Sequence, residues 1–303
     1  MSNSERLKGI AVFVATAGAG SFTAAADRLN LTSSAVGKAV ARLEARLGQR
    51  LFERSTRHLR LTDAGAAFHR ICVRVLDELD SAERVMASHA NEPSGRLRVD
   101  LPATFGKLKV MPLLMDYARL HPAVRPNISF TDRFVDLIDE GIDAAVRIGG
   151  PDSWPANLGH RFVGLERLIF CASPAYLDQR GTPVALADLA RHDAVAYGKA
   201  DGTTSPWLLS EDAGPIERHP MANSRIILGN AETQLNAVMA GLGIAQLATW
   251  LADEHVKAGR LLPVMSDRAI DGLPLHIVWP IGKQLIAKVD SVVKHLAEGL
   301  SIR

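Results

Sequence analysis

The sequence predicts an α/β protein in which a basic, helical amino-terminal segment is joined by a helical rod to a larger body of alternating strands and helices. Three observations predict this. Apolar residues recur at helical spacing through residues 7–47, a seam of threes and fours runs from Phe68 to Met86, and short β-rich runs alternate with helical ones beyond residue 95. At 303 residues, 47% hydrophobic and 22% charged, the chain has ordinary globular composition and length for about two domains. Two cysteines, Cys72 and Cys171, have no metal-ligand spacing, so neither a disulfide framework nor a metal site is expected, and no cofactor is implied. Met1 to Lys8 is too polar for a signal peptide, and no apolar run is long enough for a membrane helix. The expected location is therefore cytoplasmic, without a membrane partner.

The net charge of +2 conceals an asymmetry. Residues 1–60 hold ten Lys and Arg against four acids, a surplus of six that leaves the remainder at minus four. A basic end on a mildly acidic body suggests that one end meets a polyanion, although charge clusters also arise as solvated helix faces.

Leu7, Ile10, Phe13, Val14 and Ala17 predict a first helix, ended by Gly18 and Gly20. Ser21 can cap a short second helix through Leu29, in which Ala24, Ala25 and Ala26 allow close helix approach. After a turn at Asn30 to Ser33, a third helix from Ser33 or Ser34 buries Val36, Val40, Leu43 and Leu47 and stops at Gly48. Ser34, Lys38 and Ala41 fall on its opposite face. Two short helices about a tight turn suggest a helix-turn-helix, and Arg50 to Thr62 reads as a two-stranded wing.

Ser21-Phe22-Thr23-Ala24-Ala25-Ala26, Leu29, Ala35-Val36, Leu43-Glu44, Leu47-Gly48, Leu51-Phe52-Glu53-Arg54 and Leu61-Thr62-Asp63-Ala64-Gly65 together resemble the winged helix-turn-helix of LysR-type transcriptional regulators. The likeness extends over the whole length. It implies a homo-oligomer, dimer or tetramer, that binds an interrupted inverted repeat in double-stranded DNA and acts on the transcription machinery. Gly37 departs from the pattern, since the family usually has a hydroxyl residue there. Either another base is read, with more reliance on Lys38 and DNA shape, or the glycine lets the backbone approach the duplex.

The expected DNA-binding residues are Ser33, Ser34, Lys38, Arg54, Arg57, His58 and Arg60. Lys38 has the place of a groove contact, against the alternative of a solvated charge. Ser33 and Ser34 are either helix caps or, as the resemblance implies, major-groove contacts. Arg54 is open to a structural ion pair, whereas Arg57, His58 and Arg60 belong to the wing and approach the backbone or minor groove.

Phe68, Cys72, Val75, Leu79, Ala82 and Met86 form a seam of about two and a half heptads, too short to be stable alone, and predict a dimerisation helix; the alternative is a helix packed on its own body. Asn91 to Gly95 breaks it as a hinge. The expected division is a DNA-binding domain at 1–62, a linker helix at 63–90, the hinge at 91–95 and an effector domain at 96–303.

In that body, Leu97, Val99 and Leu101 alternate with Arg96, Arg98 and Asp100 as in a strand, and a helix is expected around Leu108 to Leu120. Further strands are expected at Ile128–Phe130, Ala144–Ile148, Leu168–Ala172, Arg225–Leu228, Ile244–Leu247 and Leu275–Trp279. Strand pairs near Leu168 and Leu275 would carry the chain between two lobes, about 96–164 with 269–303 and 165–268. The resemblance implies the same two-lobed, periplasmic-binding-protein-like fold. Ligands of open α/β sheets lie beyond the carboxyl ends of strands, and there the family places its effector contacts. The positions selected are Thr104, Phe105, Asp132, Arg147 and Asn230, for a small, anionic or polar effector. Their structural alternatives are caps at Thr104 and Asn230 and an ion pair between Asp132 and Arg147.

No HExxH, P-loop, GxSxG or strand-linked GxGxxG occurs, which argues against an enzyme. A two-lobed solute-binding protein would not need the basic helices, and an architectural DNA binder would not need the α/β body. A ligand-responsive regulator uses both.

Overall fold

A computed structural model describes residues 3–53, 59–87, 92–199, 201–210, 216–221 and 224–300. The chain divides into two compact units, Met1–Ala90 and Asn91–Arg303.

The first unit holds α1 (Asn3–Ala19), α2 (Phe22–Leu29), α3 (Ser33–Leu47), the strands β1 (Phe52–Glu53) and β2 (Arg60–Leu61), and α4 (Asp63–Ala87). Ser21 caps α2 as expected, its hydroxyl accepting the Ala24 N–H at 3.1 Å. Asn30 ends α2 in the left-handed conformation and Gly48 does the same for α3. Phe13 is fully buried, edge-on to Phe52, in a core with Val40, Leu43 and Leu51. Ala25 and Ala26 of α2 pack with Val36 in a second cluster.

Two joints attach the wing. Glu44 accepts the N–H groups of Leu51 and Phe52 at 2.7 and 3.2 Å, tying α3 to the strand that follows it. Thr62 donates its hydroxyl to Arg50 O and caps α4 by accepting from Gly65 N at 2.9 Å. A Cβ on Gly65 would lie 2.0 Å from Leu51 O, so no other residue fits without moving the backbone. Here lies the physical reason for the Leu61 to Gly65 motif.

The structure corrects the seam on α4. Cys72 is 2% exposed and belongs to the first unit's own core, and Phe68 packs there on Phe13 with ring centroids 5.6 Å apart. Neither faces outward. The exposed apolar stripe is Ile71, Val75 and Leu79, four residues apart. The side chains of Ala82 and Met86 lie outside the described residues.

The second unit is built on a seven-stranded sheet. Its strands are β3 (Gly95–Leu101), β4 (Val124–Phe130), β5 (Ala144–Ile148), β6 (Leu158–Ala172), β11 (Ala245–Ala248), β12 (Leu262–Val264) and β13 (Ile270–Pro280). The spatial order is β11-β6-β13-β5-β3-β4, with β12 also on β6; β3 is parallel to β4 and β5, whereas β13 is antiparallel to β5 and β6. The long strands β6 and β13 pair along most of their length, with register breaks near Pro274 and His276. They are the two crossings between lobes.

One lobe places α5 (Ala103–Phe105), a π-helical turn (Gly106–Val110), α6 (Met111–Leu120) and α10 (Ala287–Gly299) around Leu101, Leu114, Tyr117, Leu275 and Val292. The helix therefore begins five residues before the expected Leu108. At the wide turn, Met111 N–H donates to Gly106 O, just ahead of Pro112, which has no N–H to give. A Cβ on Gly106 would fall 2.5 Å from that of Leu101, so the glycine lets the helix start close against the strand end.

The other lobe holds α7 (Pro174–Arg180), β7 (Ala194–Tyr197), β8 (Trp207–Leu209), β9 (Glu217–His219), β10 (Ser224–Leu228), α8 (Ala231–Met239) and α9 (Thr249–Lys257). The parallel pair β7 and β10 adjoins the large sheet through a bridge between Ala194 and Ile244. Phe170 and Ala172 face one core and Cys171, Ala245 and Leu247 the other, the alternation of a strand covered on both faces.

Candidate nucleic-acid interface and effector cleft

On α3 the apolar face is consumed by the core, since Val36, Val40 and Leu43 are buried. Ser33, Ser34, Lys38, Ala41 and Arg42 are exposed on the remaining face. The cap is Thr32, whose hydroxyl accepts the Ala35 N–H at 3.2 Å, and not Ser33 or Ser34 as one reading had it. Both serines thus stand in the first helical turn, where free N–H groups and hydroxyls suit phosphate oxygens. Nothing lies within 4 Å of the Cβ position of Gly37, so packing within the protein does not demand glycine there. Arg60 is exposed on β2 opposite Glu53. Arg54, Arg57 and His58 lie outside the described residues.

In the second unit the carboxyl ends of the strands converge as the connection rule requires. Thr104 sits in α5 directly after β3, Asp132 follows β4 and Asn230 follows β10. Asn230 caps α8 by accepting the N–H groups of Glu232 and Thr233 at 3.0 and 3.1 Å, and its amide donates across the cleft to the Thr104 hydroxyl at 3.3 Å. Asp132 accepts the Ala103 N–H at 2.9 Å on one oxygen and the Tyr197 hydroxyl at 3.4 Å on the other. Lys107 reaches from the first lobe to Glu232 of the second at 3.1 Å. Three polar links therefore join the two lobes at these strand ends.

Two expected contacts are corrected. Arg147 pairs with Asp100 at 2.7 Å, both nearly fully buried, and not with Asp132. Its guanidinium also donates to the carbonyl oxygens of Val146 and Asp100, while Ser129 donates to the Asp100 carboxylate. This is a structural ion pair beneath the cleft. Phe105 is 1% exposed in the lobe core, edge-on to Trp250 at 5.0 Å, and supports the cleft wall without facing it.

Tyr197, Trp250, Glu166, Lys107 and Glu232 went unselected by sequence reasoning. Tyr197 ends β7, so the strand-end rule would have found it had that four-residue strand been recognised. Trp250 packs against both lobe cores and donates its indole N–H to the buried Glu166 at 2.8 Å, a pairing with no local signal. Burial raises the Glu166 carboxyl above its ordinary value, opposed by the Trp250 bond. The Tyr197 hydroxyl is pushed up to about 12, first by burial and then by Asp132, and stays a protonated donor.

Among the described residues there is no group of three His, Cys, Asp or Glu side chains that could hold a metal ion, and no helix is long and apolar enough to cross a membrane.

Comparison with known proteins matches residues 7–66 to the family described as bacterial regulatory helix-turn-helix protein, lysR family, and residues 90–301 to the LysR substrate binding domain. The transcriptional regulator CrgA of Neisseria meningitidis serogroup C is 32% identical over 303 residues, covering 99% of this chain and 97% of CrgA. The solved structure of CrgA from Neisseria meningitidis, a LysR-type regulator, superimposes with a TM-score of 0.60 at 28% identity, over 98% of this chain and 99% of that one. The full-length virulence activator AphB of Vibrio cholerae gives a TM-score of 0.62 at 22% identity, over 97% and 99%, a likeness of fold.

Proposed function

The chain belongs to the LysR-type transcriptional regulators, and on that premise we propose that it acts in the cytoplasm as a homo-oligomer on an interrupted inverted repeat, changing its DNA contacts when a metabolite occupies the cleft between lobes. It is a DNA-binding regulator with an effector domain and not an enzyme. The observation that supports the DNA reading best is α3, whose buried stripe turns Ser33, Ser34 and Lys38 to solvent. Lys38 reads base edges, and Arg54, Arg57, His58 and Arg60 position the duplex through its backbone.

The domain division at the hinge 91–95 and the linker at 63–90 belong to the same proposal. A second copy covers Val75 and Leu79, with Ile71 added to the seam and Ala82 and Met86 extending it. The effector meets Thr104, Asp132 and Asn230, joined by Tyr197 and Trp250. By closing or parting the three links between lobes, it favours one arrangement of the oligomer, and a coupling of about 1–3 kcal/mol shifts operator affinity by roughly 5- to 150-fold. Activation or repression follows from how the bound oligomer meets the transcription machinery.

Salt titration of operator binding tests the contact roles. Arg57→Ala is expected to weaken all sequences alike and flatten the slope of log K against log salt by about one unit. Lys38→Ala is expected to erode the preference for the operator as well. Wild-type binding by both variants would refute the placement of recognition helix and wing.

A further inference from the structure

The cleft makes a statement about the charge of its occupant. Anions are usually held at such strand ends by helix amino termini and by cations. Here the chain itself takes up part of both. The N–H of Ala103, the first of its helix, donates to the Asp132 carboxylate, so the protein supplies its own anion at that terminus. Across the cleft, the N–H groups of Glu232 and Thr233 in the first turn of α8 are taken by Asn230, and Glu232 adds a negative charge in the same turn. Arg147 is committed to Asp100 beneath the sheet, and Lys107 to Glu232. Arg133, next to Asp132, is exposed to solvent.

Acceptors and two neutral hydroxyls remain, that of Thr104, which accepts from Asn230, and that of Tyr197. Asp132 stands at the mouth, Glu166 lies buried under the indole of Trp250, and the Tyr197 hydroxyl already donates to Asp132. An entering carboxylate or phosphate would add negative charge beside Asp132 and Glu166 in a partly desolvated opening, while a hydroxyl or ammonium group would meet their unused lone pairs. We infer that the effector is a neutral or cationic hydrogen-bond donor, an alcohol, phenol or amine, and not a carboxylate or phosphate. The inference rests on the cleft reading given above and narrows the anionic or polar expectation from sequence to its polar half.

The test uses the full-length protein and three size-matched probes, benzylamine, benzyl alcohol and benzoate, with affinities from ligand-observed NMR titration. The amine and the alcohol are expected to bind the wild type at least about tenfold more tightly than benzoate. Asp132→Asn and Glu166→Gln keep the side-chain shape and remove the charge, at the cost of one acceptor oxygen each. Each is expected to shrink the advantage of the amine over benzoate, and Arg133→Gln to leave it in place. Benzoate binding as tightly as the donors, a preference unmoved by both charge-removing variants, or binding by none of the three would overturn the inference. Thr104→Val separates the two layers. If benzoate wins and its binding needs Thr104, only the ligand class is wrong; if the donors bind regardless of Thr104, Asp132 and Glu166, the cleft reading itself fails.

Discussion

Replacing Arg147 by Ala should unfold the effector domain more readily, and not merely silence its response to a ligand. The guanidinium and the Asp100 carboxylate are 5% and 3% exposed and 2.7 Å apart, so water cannot compensate either partner when the other is lost. Breaking a buried pair from one side costs about 3–5 kcal/mol, because the survivor is left charged in a poorly solvated place. Ser129 still donates to Asp100 in the variant, which moderates the loss, but the carbonyls of Val146 and Asp100 lose their donor, which adds to it. At roughly 2–4 °C per kcal/mol for a domain of this size, the melting temperature should fall by about 6–20 °C. Scanning calorimetry of the full-length protein, following the transition of the second unit, reads this directly. The double variant Asp100→Leu with Arg147→Met removes both charges and should recover most of the stability, since apolar replacement of such pairs is often neutral. A single variant that melts within about 2 °C of wild type, equivalent to under about 1 kcal/mol, would refute the structural role of the pair.

Gly65→Ala should destabilise the first unit by about 1–3 kcal/mol and weaken operator binding, because its methyl would overlap the backbone of Leu51; unchanged chemical denaturation would count against the joint described between wing and α4. Gly37→Ala should instead stabilise that unit by about 1 kcal/mol, as its Cβ meets open space, and a loss of operator affinity in the same variant would show that the backbone needs to approach the duplex there. Leu79→Asp should yield a smaller species in sedimentation with intact far-ultraviolet circular dichroism, since an unpaired carboxylate inside the seam costs several kcal/mol, about 3–5 for a buried charge; an unchanged assembly would exclude this stripe from the dimer. Glu166 has its pKa raised in the folded state by burial, so the folded protein holds that proton more tightly than the unfolded chain. Its favourable contribution is complete below the unfolded value near 4.5 and is lost as pH rises through the folded value. Glu166→Gln should therefore match wild-type stability in acid and exceed it at pH 8, and a variant less stable at pH 8 would refute the sign.

How far these features were legible follows from the range over which each is encoded. The caps at Ser21 and Gly48 and the stripe Val36, Val40 and Leu43 are local signals, whereas the cap Thr32 went unselected and Leu47, expected inside at the end of the helix, is 37% exposed. The wing joints at Glu44 and Thr62 were visible only as family motif residues, because their partners are backbone groups seven to twelve positions away. Strand ends were legible from β-rich runs, which is why Thr104, Asp132 and Asn230 fell where the chain turns into the cleft. Asp100 was not singled out as the partner of Arg147, for a physical reason. Alternating with leucine and valine, it looked like the solvent face of a half-exposed strand, whereas β3 is covered on both faces and takes Arg147 from its neighbour β5. Without the sheet order, Asp132 was the nearer-looking partner. The seam on α4 failed at its start because its first turns belong to the domain core. Phe68 and Cys72, four apart, form the row that faces the core, and Ile71, Val75 and Leu79, also four apart, form a neighbouring row that stays out. Trp250 and Glu166, 84 positions apart, had no local signature.

Footprinting of full-length protein on DNA recovered from the cell decides whether two α3 helices of one oligomer read an inverted repeat. Two protected half-sites are expected, related by a two-fold axis, on one face of the duplex and separated by a whole number of turns of about 34–36 Å, with both lost in Lys38→Ala. A single asymmetric footprint, or protection at both half-sites that survives Lys38→Ala together with Arg57→Ala, would contradict that reading.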